Sequence, residues 1–113
     1  MILSILKIIA GIATILTGVV SLFWPLNVQG FIGLTAIGGR GITEIRTIFG
    51  ALFIGLGGAA LYFKTSKTYK MLGIMYLAMA VVRAVSMFMD GSVVSSNVIS
   101  LIAEVIFGIV LVL

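Results

Sequence analysis

The sequence contains no cysteine and no histidine, and only 9% of its residues are charged. The missing cysteine excludes a disulfide, a thiolate metal site and a cysteine nucleophile. The missing histidine removes the commonest general base and the commonest metal ligand, so we expect no metal site and no cofactor. The scarcity of charge also argues against a soluble domain, in which about a quarter of the residues are charged.

Hydrophobic residues dominate the sequence. Of its 113 residues, 62% are hydrophobic, and the mean hydropathy is +1.38. The length fits one domain, and the composition indicates a multi-pass integral protein of the cell membrane. We therefore predict an all-α fold, a bundle of four transmembrane helices in a single membrane domain over residues 1–113.

Four apolar segments are each close to the roughly 20 residues that a helix needs to cross a bilayer. The predicted spans are residues 2–23, 42–63, 71–89 and 98–113. Between the first two spans, residues 25–41 are interrupted by Pro25 and several glycines and carry one charge, that of Arg40. We expect the segment at about 26–38 to be an interfacial or re-entrant piece. Asp90-Gly91-Ser92 predicts a turn between the last two spans.

The lysines predict the orientation of the chain. Lys64, Lys67 and Lys70 lie between the second and third spans, whereas the next connection has no lysine. Because short cytoplasmic loops accumulate Lys and Arg, this connection and both termini should face the cytoplasm. The net charge of +4 is then a topology signal, and we expect no nucleic-acid partner.

Each predicted span carries a stripe of small or polar residues at helical spacing. Helices in lipid associate by close backbone approach and polar contacts, so these stripes should face into the bundle. The stripes are Lys7, Gly11, Thr14, Gly18 and Ser21; then Glu44, Thr47, Ala51, Gly55 and Gly58; then Gly73, Tyr76, Ala80, Arg83, Met87 and Asp90; and finally Asn97, Leu101, Glu104 and Gly108. A second flat face, with Gly50 and Gly57, is expected to dock partner helices.

Ionisable residues inside a membrane bundle need partners and are candidates for a functional site. The expected ligand-binding site or ion network, in the outward half of the bundle, consists of Glu44, Arg46, Arg83, Asp90 and Glu104, with Arg40 and Asn97 at its rim. Glu44 and Arg46 lie about 200° apart around a helix, so we expect only Glu44 to point inward. The favoured ion pairs are Arg83 with Glu104 and Arg83 with Glu44.

Three motifs carry a family resemblance. They are Thr43-Glu44-Ile45-Arg46 with Phe49-Gly50, Arg83-Ala84-Val85-Ser86 followed by Asp90-Gly91, and the lone Glu104 of the last span. Over nearly the whole chain, they resemble the small bacterial four-helix membrane family called domain of unknown function 4345. The resemblance implies the four-helix architecture and the importance of the charged residues, and it implies no activity.

Two functions from different classes are compatible with this pattern. The favoured one is an accessory or scaffolding subunit of a membrane assembly, in which three acids balance Arg40, Arg46 and Arg83 in a neutral network. The alternative is a binder or transporter of a small polar or lipid-headgroup ligand, through an outward-facing pocket lined by Glu44, Arg83 and Glu104, with optional proton coupling. We do not expect an enzyme, because no catalytic motif is present. The expected partners are the lipid bilayer and either further copies of the chain or other membrane subunits.

Overall fold

The computed structural model describes residues 2–27, 35 and 37–113. This part of the chain forms four long helices and no strand: α1 (Ile2–Phe23), α2 (Gly38–Phe63), α3 (Ser66–Met89) and α4 (Ser95–Val112). Each is long and apolar enough to cross a membrane, so the predicted all-α architecture is confirmed at that level. The predicted interfacial segment at 26–38 falls mostly on residues 28–34 and 36, which lie outside the described residues. Its last residue, Gly38, belongs to α2.

The connection between α2 and α3 is shorter than the sequence predicted, because α3 begins at Ser66. The hydroxyl of Thr65 accepts a hydrogen bond from the backbone N–H of Thr68 (3.2 Å). In return, the hydroxyl of Thr68 accepts one from the backbone N–H of Thr65 (3.2 Å). This capping box satisfies N–H groups that would have no partner at the start of the helix. Two lysines assigned to the connection, Lys67 and Lys70, therefore lie within α3.

The turn predicted at Asp90-Gly91-Ser92 is confirmed. Gly91 has φ +62, a left-handed conformation that glycine adopts without steric cost. The backbone N–H of Ser92 donates to the carbonyl oxygen of Met87 (3.1 Å). This arrangement is the Schellman motif that commonly ends a helix, and it allows α4 to begin at Ser95.

Helix α2 contains an eight-residue π-helical stretch, Ile45–Leu52. Hydrogen bonds in a π-helix link residues five apart, so residues five apart lie on the same side. The buried side of α2 consists of Ile45, Gly50, Phe53, Gly57 and Ala60. In a regular α-helix Arg46, four residues before Gly50, would share that side. The π-helical stretch places Ile45 there and leaves Arg46 exposed.

The buried side of α2 is not the side that the sequence predicted. The stripe predicted to face inward is exposed at Glu44, Thr47, Ala51 and Gly55. The face of Gly50 and Gly57, predicted to dock other proteins, is buried within the chain. The physical reason is that these glycines permit close backbone approach while Ile45 and Phe53 beside them bury hydrocarbon. The predicted stripe has no comparably large apolar side chain.

The first of two compact units, Gly11–Tyr62, is held together by glycines of α1 and α2. A Cβ atom built on Gly18 would lie 2.7 Å from the carbonyl oxygen of Gly50. One built on Gly57 would lie 3.0 Å from the carbonyl oxygen of Gly11. The two backbones are therefore close enough that side chains would separate them. The predicted α1 stripe is confirmed at Gly11, Thr14, Gly18 and Ser21, which are all buried, while Lys7 at its start is half-buried.

The second unit comprises residues 2–10 and Phe63–Leu113, and its central contact is between α3 and α4. A Cβ atom on Gly73 would lie 2.9 Å from the carbonyl oxygen of Gly108. The rings of Tyr76 and Phe107 meet edge to face, with centroids 5.5 Å apart. The predicted stripes of these helices are confirmed at their buried members Gly73, Tyr76, Ala80, Met87, Glu104 and Gly108, whereas Asp90, the last member of the α3 stripe, is exposed. The unit is thus an α3–α4 hairpin with its small and polar residues on the inside.

Candidate functional site

Arg83 and Glu104 form a two-point ion pair within the α3–α4 hairpin. The Nε of Arg83 donates to Oε1 of Glu104 and its Nη2 donates to Oε2, each at 2.8 Å. The Glu104 side chain is 7% exposed and that of Arg83 is 30% exposed. Parallel bonds of this kind are among the strongest and most directional contacts available to a carboxylate. The structure therefore contains one of the two pairs favoured by the sequence.

The stripes of the hairpin bring this pair together. Arg83 follows Ala80 on the inner side of α3, and Glu104 precedes Gly108 on the inner side of α4. The helices run in opposite directions from the turn at Gly91. Arg83 lies two turns before the end of α3 and Glu104 about two and a half turns into α4, so both side chains are at similar depth. Because the pair has no net charge, it is far cheaper to hold among apolar helices than either charge alone.

Asn97 extends the pair to the turn. Its Oδ1 accepts a hydrogen bond from Nη1 of Arg83 (3.1 Å), and its Nδ2 donates to the backbone carbonyl of Ser92 (2.9 Å). The sequence placed Asn97 at the rim of the site, whereas the structure makes it the link between the ion pair and the turn. The Ser92 carbonyl had no signal in the sequence, because a pattern of side chains does not reveal a backbone acceptor. We call Arg83, Glu104, Asn97 and the Ser92 carbonyl the hairpin network.

Asp90 lies outside the hairpin network. It is exposed at the end of α3, and its Oδ2 accepts a hydrogen bond from the hydroxyl of Ser86 (2.6 Å). Although Asp90 and Arg83 were assigned to one face of α3, the guanidinium bonds only to Glu104 and Asn97 among the described residues. Asp90 is therefore a helix-end residue with a local partner.

The remaining predicted site residues belong to the Gly11–Tyr62 unit. Arg40, Glu44 and Arg46 are exposed, and none of them has a hydrogen-bond or ion-pair partner in the part of the chain that the structure describes. The expectation that Glu44 points inward is wrong, because the buried side of α2 is the one that carries Ile45, Gly50 and Phe53. The pair predicted between Arg83 and Glu44 would join the two units, and it stays a prediction.

The described residues offer little for metal chemistry. No group of three or more potential ligands among them is placed to hold a metal ion. No buried side-chain nitrogen or oxygen in the described ranges lacks a hydrogen-bond partner. The hairpin network can therefore hold α3 and α4 in register, and it leaves part of the Arg83 guanidinium exposed.

No protein-family model, curated protein or solved structure matches the chain. The resemblance to domain of unknown function 4345 therefore stays a prediction. Any functional conclusion about this protein depends on its own residues.

The two bonds of Asn97 should have a measurable effect on stability. We expect Asn97→Ala to lower the free energy of unfolding by about 1–2 kcal/mol, because Arg83 loses an acceptor and the Ser92 carbonyl loses a donor. Denaturation of the purified protein in mixed micelles, followed by circular dichroism, would measure the change. The matched control is Ser96→Ala, which alters an exposed neighbour and should change stability by less than about 0.5 kcal/mol. Equal effects of the two substitutions would contradict the role assigned to Asn97.

Proposed function

We propose that this chain is a multi-pass protein of the cell membrane, in a bacterial inner membrane. Its four long helices support this location, because only 17–28% of the most apolar window of each is buried. In water these helices would present large exposed hydrophobic patches, whereas in a membrane lipid covers them. The cytoplasmic side is proposed for the end where Lys64, Lys67 and Lys70 lie. The Nζ of Lys7 lies 5.7 Å from the centre of the Tyr69 ring, which supports placing the N-terminus at that same end.

Within that membrane, the proposed role is an accessory or scaffolding subunit of a larger assembly. The observation that carries this proposal is that Glu104 and Asn97 each make two bonds within the hairpin network. Both carboxylate oxygens of Glu104 accept from Arg83, and Asn97 is bonded on both sides. A carboxylate with both oxygens engaged by one guanidinium is suited to fixing the register of two helices. We assign no catalytic role, since the sequence has neither a histidine nor a cysteine.

A second candidate function is supported by the part of Arg83 that the network does not use. Its guanidinium has five N–H groups, of which three donate to Glu104 and Asn97. The remaining two have no acceptor among the described residues, and the side chain is 30% exposed. An anionic group of a lipid or small ligand could accept from them. This is the binding function: Glu104 holds Arg83 in place, and the two remaining N–H groups of Arg83 bind the ligand.

Native mass spectrometry of the protein, released gently from its own membranes, tests the two functions against each other. The accessory role predicts a complex that contains other polypeptides and that persists in Glu104→Gln, provided that this variant is folded. The binding role predicts a small bound mass that is lost in Arg83→Lys, because lysine keeps the charge without the planar group of donors. Recovery of only the bare chain, from membranes in which it is abundant, would contradict both.

A further inference from the structure

The outward side of α2 carries a continuous row of small residues. They recur every fourth position, and all six are exposed: Gly39, Thr43, Thr47, Ala51, Gly55 and Ala59. Residues four apart share one face of an α-helix, and Thr47 and Ala51, which lie inside the π-helical stretch, are exposed as well. The row extends about 30 Å along the axis, close to the thickness of a bilayer core. Cβ atoms built on Gly39 and Gly55 would meet no atom within 4 Å. This small-residue row lies opposite the side that packs on α1.

Small residues at this spacing permit two helices in a membrane to approach closely. The row alone would not identify the helix that covers it. The information about the partner comes from the two charges at one end of the row, because Glu44 and Arg46 are exposed and have no partner among the described residues.

These two charges lie on opposite flanks of the small-residue row. They are the immediate neighbours of Ile45, which is 4% exposed and faces the packed side. Successive helical residues are about 100° apart, so one charged side chain leaves the helix on each side of Ile45. An acid therefore borders one edge of the row and a base borders the other, at nearly the same height.

We propose that the small-residue row is the contact surface for a second copy of this chain, in a parallel two-fold dimer. A two-fold axis along the row brings the Glu44 edge of one copy against the Arg46 edge of the other, and the reverse on the far side. An isologous contact requires this kind of self-complementarity. Two equivalent ion pairs form, and they neutralise the two exposed charges on each copy. The inference rests on the proposed membrane location, which orients both copies alike, and it does not require the accessory role.

Disulfide cross-linking provides the first test, because the chain has no cysteine of its own. Gly55→Cys in the full chain, at low density in lipid vesicles, should form a covalent dimer at least about tenfold faster than a control. The control is Ile106→Cys, at a position on α4 that is 53% exposed. Equal rates would overturn the proposal. Cross-linking in native membranes to a different polypeptide, rather than to a second copy, would overturn it as well.

Charge reversal tests the ion pairs separately from folding. Glu44→Arg and Arg46→Glu should each weaken self-association about tenfold, because each places like charges across the two-fold axis. Mixing the two variants should restore association as a heterodimer, and the double variant should again form homodimers. A failure of both restorations, in chains that circular dichroism shows to be helical, would overturn the dimer. The proposed accessory role would fail if the complex released from native membranes contained no other polypeptide, which the charge-reversal variants do not measure.

Discussion

Arg83→Leu is expected to lower the free energy of unfolding by about 3 kcal/mol. Removing one partner of a buried pair leaves the other charge without compensation, which costs roughly 3–5 kcal/mol. The lower end applies because the Arg83 side chain is 30% exposed, although the Glu104 carboxylate that would be stranded is only 7% exposed. Denaturation in mixed micelles, followed by circular dichroism, would measure the loss.

The control for this substitution is Arg40→Leu. Arg40 is exposed and has no partner among the described residues, so its loss should change stability by less than about 0.5 kcal/mol. A double variant, Arg83→Met with Glu104→Met, provides the decisive comparison. Replacing both members of a buried pair by apolar residues is often neutral or stabilising. The double variant should therefore be more stable than Arg83→Leu, and a double variant that is equally unstable would show that the ion pair is not the cause.

Gly18→Ala is expected to have the second large effect, a loss of about 2 kcal/mol or more. The added methyl group would lie 2.7 Å from the carbonyl oxygen of Gly50 and 2.9 Å from the backbone nitrogen of Ile54. Backbone atoms cannot rotate away as a side chain can, so α1 and α2 must separate, and overpacking of this kind costs about 1–3 kcal/mol. The fluorescence of Trp24, the one tryptophan of the chain, would follow unfolding at the end of α1.

Gly58→Ala is the matched control for Gly18→Ala. A Cβ atom at Gly58 would meet no atom within 4 Å, and the position lies inside α2. Because alanine favours a helix over glycine by about 1 kcal/mol, this substitution should be neutral or stabilising. A loss of stability in Gly58→Ala as large as that in Gly18→Ala would contradict the packing described for this unit.

Prediction from the sequence was most successful where a single α-helical period governs both packing and polarity. The stripes of α1, α3 and α4 emerged as predicted except at the exposed Asp90, because small and polar residues at helical spacing permit close helix contact. The contact between Arg83 and Glu104 followed from the same periodicity. One base and one acid lie on the inner stripes of two helices joined by a short turn, at similar distances from that turn.

The prediction was wrong at α2, where the helix does not keep a single period. Counting in steps of 3.6 residues assigns Arg46 to the same side as Gly50 and Gly57, which would put a charge on that side. The π-helical stretch places Ile45 there instead and leaves Arg46 exposed. As a result, the buried side carries Ile45, Gly50 and Phe53, and the small-residue row faces outward.

By itself, the sequence determined that the protein has four apolar helices with a turn at Gly91, and that Glu104 would require a basic partner. These features follow from composition and from spacing within one helix or one hairpin. The tertiary structure decided which side of α2 packs on α1, and it brought Asn97 and the Ser92 carbonyl into the hairpin network. These outcomes depend on the hydrogen-bond register of the backbone and on the close approach of glycines, neither of which the periodicity of side chains specifies.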